Sequence, residues 1–281
     1  MKVGVIGAGT MGAGIAQVFA QTDGYEVTLC DITAEIASKG KNNIASRLAG
    51  LVSKGKFDLI TADKILSRIT TGTIEAAADC ELIIEATIED MTAKKALFAS
   101  LSKICNKNTI FVSNTSSLSI TEISNGLDRP VIGMHFFNPA PVMKLVEITP
   151  GLGVPEVTAQ KVKNIAEDIG KVPVMLKESA GFIVNRLLIP MINEAIDLYA
   201  KDIATAEDID TAMKLGANHP MGPLEIGDLV GLDVCLAIME VLQKEIDDKK
   251  YHPHPYLEKM VQDGMLGRKS GKGFYEYGKA K

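Results

Sequence analysis

Brief apolar runs alternate with amphipathic stretches over the first part of the chain. Lys2–Ile6, Glu26–Cys30, Leu82–Ala86, Thr109–Ser113, Val131–His135, Leu145–Ile148 and Val172–Leu176 have the length and aliphatic content of strands. Between them, Leu97, Leu101, Ile104 and Cys105 recur at i, i+4, i+7 and i+8, and Val162, Ile165, Ala166 and Ile169 at i, i+3, i+4 and i+7. Each set lies on one face of a helix. Strand–helix alternation of this kind predicts a doubly wound α/β sheet with helices on both faces.

After Val172–Leu176 the period changes. Ile183, Leu187, Ile192, Ile196 and Tyr199, then 203–215, then 229–246, repeat at helical spacing, and no convincing strand follows Gly181 until the extreme C-terminus. Pro190 is expected to kink or interrupt the first of these helices. The boundary falls near Lys177–Gly181, giving an α/β domain over 1–180 and an all-α C-terminal domain over 181–281.

Composition narrows the class. A chain of 281 residues exceeds the usual single-domain size, and its net charge of −5 argues against nucleic acid or anionic membrane as the main partner. Cys30, Cys80, Cys105 and Cys235 are scattered without metal-type spacing, so no metal is expected, and they fit reduced thiols in a cytoplasmic protein. His252-Pro253-His254-Pro255 lacks acidic or thiol companions and reads as a polar connection. The first ten residues already read as strand and turn, so no signal peptide is expected. The most apolar stretches, 183–196 and 229–242, are interrupted by Asn185 and Arg186 or by Asp233, and neither reads as a membrane span.

Gly7-Ala8-Gly9-Thr10-Met11-Gly12 follows the strand ending at Ile6 and opens a helix over Ala13–Ala20. In that context the glycines permit a tight turn, approach of a pyrophosphate and close strand–helix packing, while the helix N-terminus faces the phosphates. Asp31 ends the second strand, 19 residues after Gly12, where a carboxylate binds the adenosine ribose of NAD in preference to NADP, although NADP is not excluded. The first domain is therefore expected to be a Rossmann-type NAD-binding domain. A chance glycine turn, with Asp31 a helix cap, is the plainer alternative.

Among four histidines, His135 stands at the C-terminal end of a predicted strand, the side of an open α/β sheet where ligands bind. Imidazole is suited to moving a hydroxyl proton near neutral pH, and a carboxylate behind it, such as Glu147 on the next strand, would fix its tautomer. On these residues alone, a satisfied structural histidine fits as well as a catalyst, and a solvated strand-end charge fits Glu147 better.

Four further motifs occur in order: Ser113-Asn-Thr-Ser116-Ser117-Leu118, His135-Phe-Phe-Asn138-Pro139, Gly181-Phe-Ile-Val-Asn185-Arg186 and Gly267-Arg-Lys-Ser-Gly271-Lys272-Gly273-Phe274-Tyr275. With the glycine loop they resemble the L-3-hydroxyacyl-CoA dehydrogenases over nearly the whole chain. The resemblance implies that His135 is the general base and Glu147 its partner, and that Ser116 and Asn185 contact the acyl-CoA. It further implies that Glu89, Lys94, Asn138 and Lys272 lie at the cofactor, and that the protein is a homodimer. Lys54 and Lys56 are candidates for the coenzyme A phosphates, though a solvated helix end fits them as well.

Ser116 also fits a helix N-cap, Asn185 a polar residue in a domain interface, and Lys94 and Lys272 solvated positions. Ala180, where a proline is expected before the Asn185 motif, departs from the family pattern. Two other functions stay open: a β-hydroxyacid dehydrogenase, whose lysine base finds no counterpart here, and a catalytically silent NAD-binding protein.

Overall fold

A computed structural model describes residues 1–278, and its contacts divide the chain into Met1–Glu178 and Ser179–Lys281. The first unit is built on eight strands: β1 (Lys2–Ile6), β2 (Glu26–Cys30), β3 (Ile69–Gly72), β4 (Leu82–Glu85), β5 (Ile110–Ser113), β6 (Val131–Phe136), β7 (Leu145–Pro150) and β8 (Val172–Met175). They form one sheet in the order β3-β2-β1-β4-β5-β6-β7-β8. β1 to β6 are parallel, β7 runs antiparallel to β6, and β8 is parallel to β7. The order reverses at β1, between β2 and β4, and a crevice beyond the carboxyl ends of the strands at such a point is where this architecture takes ligands.

Six helices cover the sheet: α1 (Thr10–Gln21), α2 (Ala34–Ser53), α3 (Leu59–Ser67), α4 (Met91–Ile104), α5 (Ile120–Ser124) and α6 (Glu156–Asp168). Alternation along each strand explains why both faces are covered. Val3, Val5, Leu82, Ile84, Ile110 and Val112 join the core shared with α1, α2 and α6, whereas Ile6, Ile83 and Phe111 join the core shared with α4 and α5. The same two-residue period turns Glu85, Ser113, His135 and Glu147 toward the α4–α5 face.

β3 was absent from the expected strands. Its sequence, Ile-Thr-Thr-Gly, buries only Ile69, and as the edge strand it needs no apolar run.

The second unit contains α7 (Val184–Ala200), α8 (Ala206–Gly216), α9 (Pro223–Val230), α10 (Leu232–Ile246) and α11 (Pro255–Gln262) around Ile192, Ile196, Leu224, Leu232, Met239, Leu242 and Leu257. α7 runs through Pro190 without interruption. No strand occurs among the described residues of this unit; the C-terminal segment makes only isolated bridges at Gly267–Lys272 and Lys272–Glu276.

Two buried carboxylates fasten that segment. Asp228 accepts hydrogen bonds from the N–H groups of Phe274 (3.1 Å) and Tyr275 (3.0 Å) and from the Tyr277 hydroxyl (3.1 Å). Burial pushes its pKa above the usual carboxylate value despite these donors. Asp210 accepts from Leu224 N–H (2.8 Å), Glu225 N–H (2.9 Å) and the Tyr275 hydroxyl (2.8 Å), so it both caps α9 and anchors the segment. Asp210→Ala leaves these donors unsatisfied at about 1–3 kcal/mol for each buried group. We expect it to lower the urea midpoint by the equivalent of roughly 3 kcal/mol without changing the slope; an unshifted midpoint would show that the anchor contributes nothing.

Candidate active site

The turn from β1 to α1 gives its three glycines different tasks. Gly7 has φ +100°, and a Cβ there would meet the Ala86 carbonyl at 2.5 Å. At Gly12 a Cβ would lie 1.7 Å from the Gly7 carbonyl oxygen, so only glycine allows α1 to approach the turn. At Gly9 a Cβ would meet nothing within 4 Å: the space it leaves is open. Gly9 is also the N-cap of α1 and provides no side-chain hydrogen bond. Thr10 and Met11, in the first turn, follow directly. An open space before uncapped N–H groups suits a pyrophosphate.

Asp31, at the end of β2, accepts from Ala8 N–H through Oδ2 (2.7 Å) and from Ile32 N–H through Oδ1 (2.8 Å). It braces the glycine turn at the ribose end. It is not a helix cap; Thr33 caps α2. The glycine loop and Asp31 thus fit the adenosine pyrophosphate half of NAD.

His135 and Glu147 are directly opposite in the antiparallel β6–β7 register. His135 Nδ1 and Glu147 Oε2 are 2.9 Å apart, at 6% and 1% exposure. An ionised carboxylate only accepts, so Nδ1 donates and the neutral ring carries its lone pair on Nε2. β5 pairs with β6 only as far as Gly133, which leaves His135 at the carboxyl edge of the sheet. The Phe137 ring lies against the imidazole with centroids 4.5 Å apart. Asn138 is exposed on the following loop, before a cis peptide bond to Pro139.

A second polar group lies at the ends of β4 and β5. Lys94, on α4, is fully buried, and its Nζ donates to Glu85 Oε1 (2.7 Å) and pairs with Glu89 Oε2 (3.3 Å). The solvated alternative for Lys94 therefore fails. Glu89 Oε1 accepts from the hydroxyls of Thr115 (2.7 Å), Ser116 (3.1 Å) and Ser117 (3.1 Å) and from the N–H groups of Ser116 (2.8 Å) and Ser117 (3.1 Å). Burial pushes the Glu89 carboxyl up, but the Lys94 charge and the Thr115 and Ser116 donors outweigh it, and its pKa lies below the usual value. Ser116 is not a helix cap either, since Ser119 fills that role for α5 through Glu122 N–H.

The structure thus brings together Gly7, Gly9, Gly12 and Asp31; Glu89, Lys94 and Ser116; and His135 and Glu147. Lys54 and Lys56 are exposed at and just beyond the C-terminus of α2. Asn185, in the first turn of α7, and Lys272, exposed and paired with Glu276 at 3.2 Å, belong to the second unit. Sequence reasoning missed Glu85, Ser113 and Asn114. Among the described residues no group of three potential ligands is arranged for a metal ion, and no helix is long and apolar enough to cross a membrane.

Comparison with known proteins follows the same division. Residues 2–179 match the family described as 3-hydroxyacyl-CoA dehydrogenase, NAD binding domain, and residues 181–277 match its C-terminal domain. The 3-hydroxybutyryl-CoA dehydrogenase of Clostridioides difficile is 53% identical over 99% of this chain and 100% of that protein. The human mitochondrial hydroxyacyl-coenzyme A dehydrogenase is 44% identical over 98% of this chain and 90% of its own. The crystal structure of (S)-3-hydroxybutyryl-CoA dehydrogenase from Ralstonia eutropha superimposes with a TM-score of 0.94 at 43% identity, covering 99% of both chains.

Three substitutions test this geometry. Gly9→Ala is expected to leave the melting temperature unchanged while weakening NADH binding, read by fluorescence titration, by roughly tenfold or more. Gly12→Ala should instead cost about 1–3 kcal/mol of stability through forced repacking. Glu89→Gln tests the depressed carboxyl. A lowered folded pKa contributes stability above the unfolded value, near 4.5, that disappears as pH falls through the folded value. The variant should be the less stable in urea at neutral pH, and the gap should close in acid; a gap independent of pH refutes the assignment.

Proposed function

The chain belongs to the 3-hydroxyacyl-CoA dehydrogenase family, and on that premise we propose that it interconverts (S)-3-hydroxybutyryl-CoA and acetoacetyl-CoA with NAD, using His135 and Glu147 as a catalytic dyad. The observation that carries the dyad is the 2.9 Å contact between His135 Nδ1 and Glu147 Oε2 at the carboxyl edge of the sheet. The four-carbon substrate is inferred from the names of the bacterial relatives that match along their whole length.

When bound, NAD supplies the two-electron acceptor for oxidation at C3; the protein supplies proton transfer and orientation. In the oxidative direction His135 Nε2 takes the C3 hydroxyl proton, and Glu147 stabilises the imidazolium that results. In reduction the charged ring returns that proton to the oxygen at C3. The Gly7–Gly12 turn, with Thr10 and Met11, receives the pyrophosphate and Asp31 the ribose; Asn138 and Lys272 complete the cofactor contacts implied by the family. Ser116, held by Glu89 through its backbone N–H, turns its hydroxyl from Glu89 to donate to a substrate oxygen, and Asn185 retains the substrate contact implied by the family. Lys54 and Lys56 are assigned to the coenzyme A phosphates. Lys94 acts here through Glu89, because its ammonium is already engaged by two carboxylates.

We assign self-association to the second unit, where Leu187 and Leu215 are exposed, and a homodimer as its product, to be read from the mass in solution. The cytoplasm is our placement of the enzyme, since its four cysteines are free and buried.

Mixing the protein with NADH and acetoacetyl-CoA should give rapid loss of NADH absorbance, and free 3-keto acids should not replace the thioester. His135→Gln is expected to lower kcat by about 10²–10⁴-fold while NADH binding stays near normal. Near-wild-type turnover in that variant removes His135 from the mechanism.

A further inference from the structure

Glu85 ends β4 between Ile6 of β1 and Ser113 of β5, and it is 0% exposed. Its Oε1 accepts from Lys94 Nζ, Thr87 N–H and the Thr87 hydroxyl, each at 2.7 Å, and its Oε2 from the Ser113 hydroxyl at 2.6 Å. Desolvating a carboxylate and an ammonium is costly for each ion, and an apolar pair of similar volume is often as stable or more so. Stability of the sheet is therefore a poor explanation for this pair.

Its hydrogen bonds lead elsewhere. Lys94 continues to Glu89, whose other oxygen gathers Thr115, Ser116 and Ser117. Ser113 Oγ, while donating to Glu85, accepts Thr115 N–H at 3.2 Å. The Glu85 carbonyl accepts Asn114 N–H at 2.8 Å, and Asn114 Oδ1 accepts Phe136 N–H, adjacent to His135, at 2.8 Å. Three routes leave this one residue; two end on the turn bearing Ser116 and one beside the base.

We propose that Glu85 is a positioning residue whose negative charge sets the orientation of Ser116, acting through Lys94 and Glu89; this rests on reading Ser116 as a substrate contact. The ionised Glu85 holds the Lys94 ammonium at the sheet end. With a neutral amide at 85, Lys94 has one carboxylate left and draws Glu89 away from the 115–117 turn, and the Ser116 hydroxyl loses its fixed direction.

Glu85→Gln is the direct test, because it preserves volume and its amide still accepts from Thr87 and donates to Ser113. We expect kcat with acetoacetyl-CoA to fall about 10- to 100-fold, the scale of a small misplacement of a substrate contact, with the thermal midpoint and NADH affinity little changed. In a Ser116→Ala background the same change should cost no more than about twofold; independent, multiplying losses overturn the proposal. Hydrogen exchange supplies an arm that needs no turnover. The amides of Ser116 and Ser117 should exchange faster in Glu85→Gln while the rest of the sheet stays protected, and unchanged protection at those two amides overturns the proposal. If the wild-type protein does not oxidise NADH with acetoacetyl-CoA, the functional reading fails and hydrogen exchange still decides the role of Glu85. Should Glu85→Gln fail to fold, the double variant Glu85→Gln/Lys94→Met, which removes the buried pair together and with it the link to Glu89, is judged by the same readouts.

Discussion

A parallel sheet covered by helices on both faces has no lateral surface for polar chemistry, and that constraint organises the first unit. Strand interiors must be apolar, as Val3, Val5, Ile83, Ile84, Phe111 and Val112 are. Apart from the threonines of β2 and β3, the polar groups of the parallel strands sit at or next to strand ends. Gly7 follows β1, Asp31 follows β2, and Glu85 and Ser113 close β4 and β5. Because these positions are set by the ends of hydrogen-bonded neighbours, groups far apart in the chain arrive side by side without long loops to carry them.

β7 is the exception that completes the site. Running against β6, it brings the middle of its own strand, rather than its end, to the level of His135. Glu147 is thus a carboxylate inside a sheet, between Val146 and Ile148, and its position is tolerable only with a partner. On the same face Glu85 is buried against the Lys94 ammonium, where Glu147 instead meets a neutral imidazole. In both places the cost of burying charge is offset by a fixed orientation, a trade that favours geometry over stability.

The glycine turn, Asp31 and the division into an α/β and a helical unit were legible because each depends on local chemistry or on a period. Glu147 was legible as a plausible partner on the next strand, and family resemblance favoured it over a solvated charge, since nothing in a spacing of twelve residues announces an antiparallel register. β3 escaped because an edge strand with one buried side chain leaves no pattern. Glu85 escaped because it stood inside the run Leu82–Ala86 read as a strand, where no spacing announces the lysine that pairs with it from α4. Lys94 was open to a solvated reading because the carboxylates that neutralise it come from β4 and the following loop, a relation that helix periodicity does not contain. Ser116 was open to a capping reading because a serine suits any helix start, but α5 begins later and Ser119 caps it.

The helices of the first unit are not finished alike. Thr33, Asp58, Asp90 and Ser119 each close the first turn of α2, α3, α4 and α5 with a side-chain oxygen, whereas α1 begins at a glycine with nothing to offer. α6, which follows Pro155, also lacks a side-chain cap, but α1 is the helix whose leading amides face the glycine turn, where a bound dinucleotide would supply the acceptor. A ligand that binds only the folded chain raises its stability with concentration, by about 2.7 kcal/mol at a hundredfold excess over Kd. The dinucleotide that takes the hydride would thus also raise the folded fraction of the chain, so that turnover and stability would respond to one concentration.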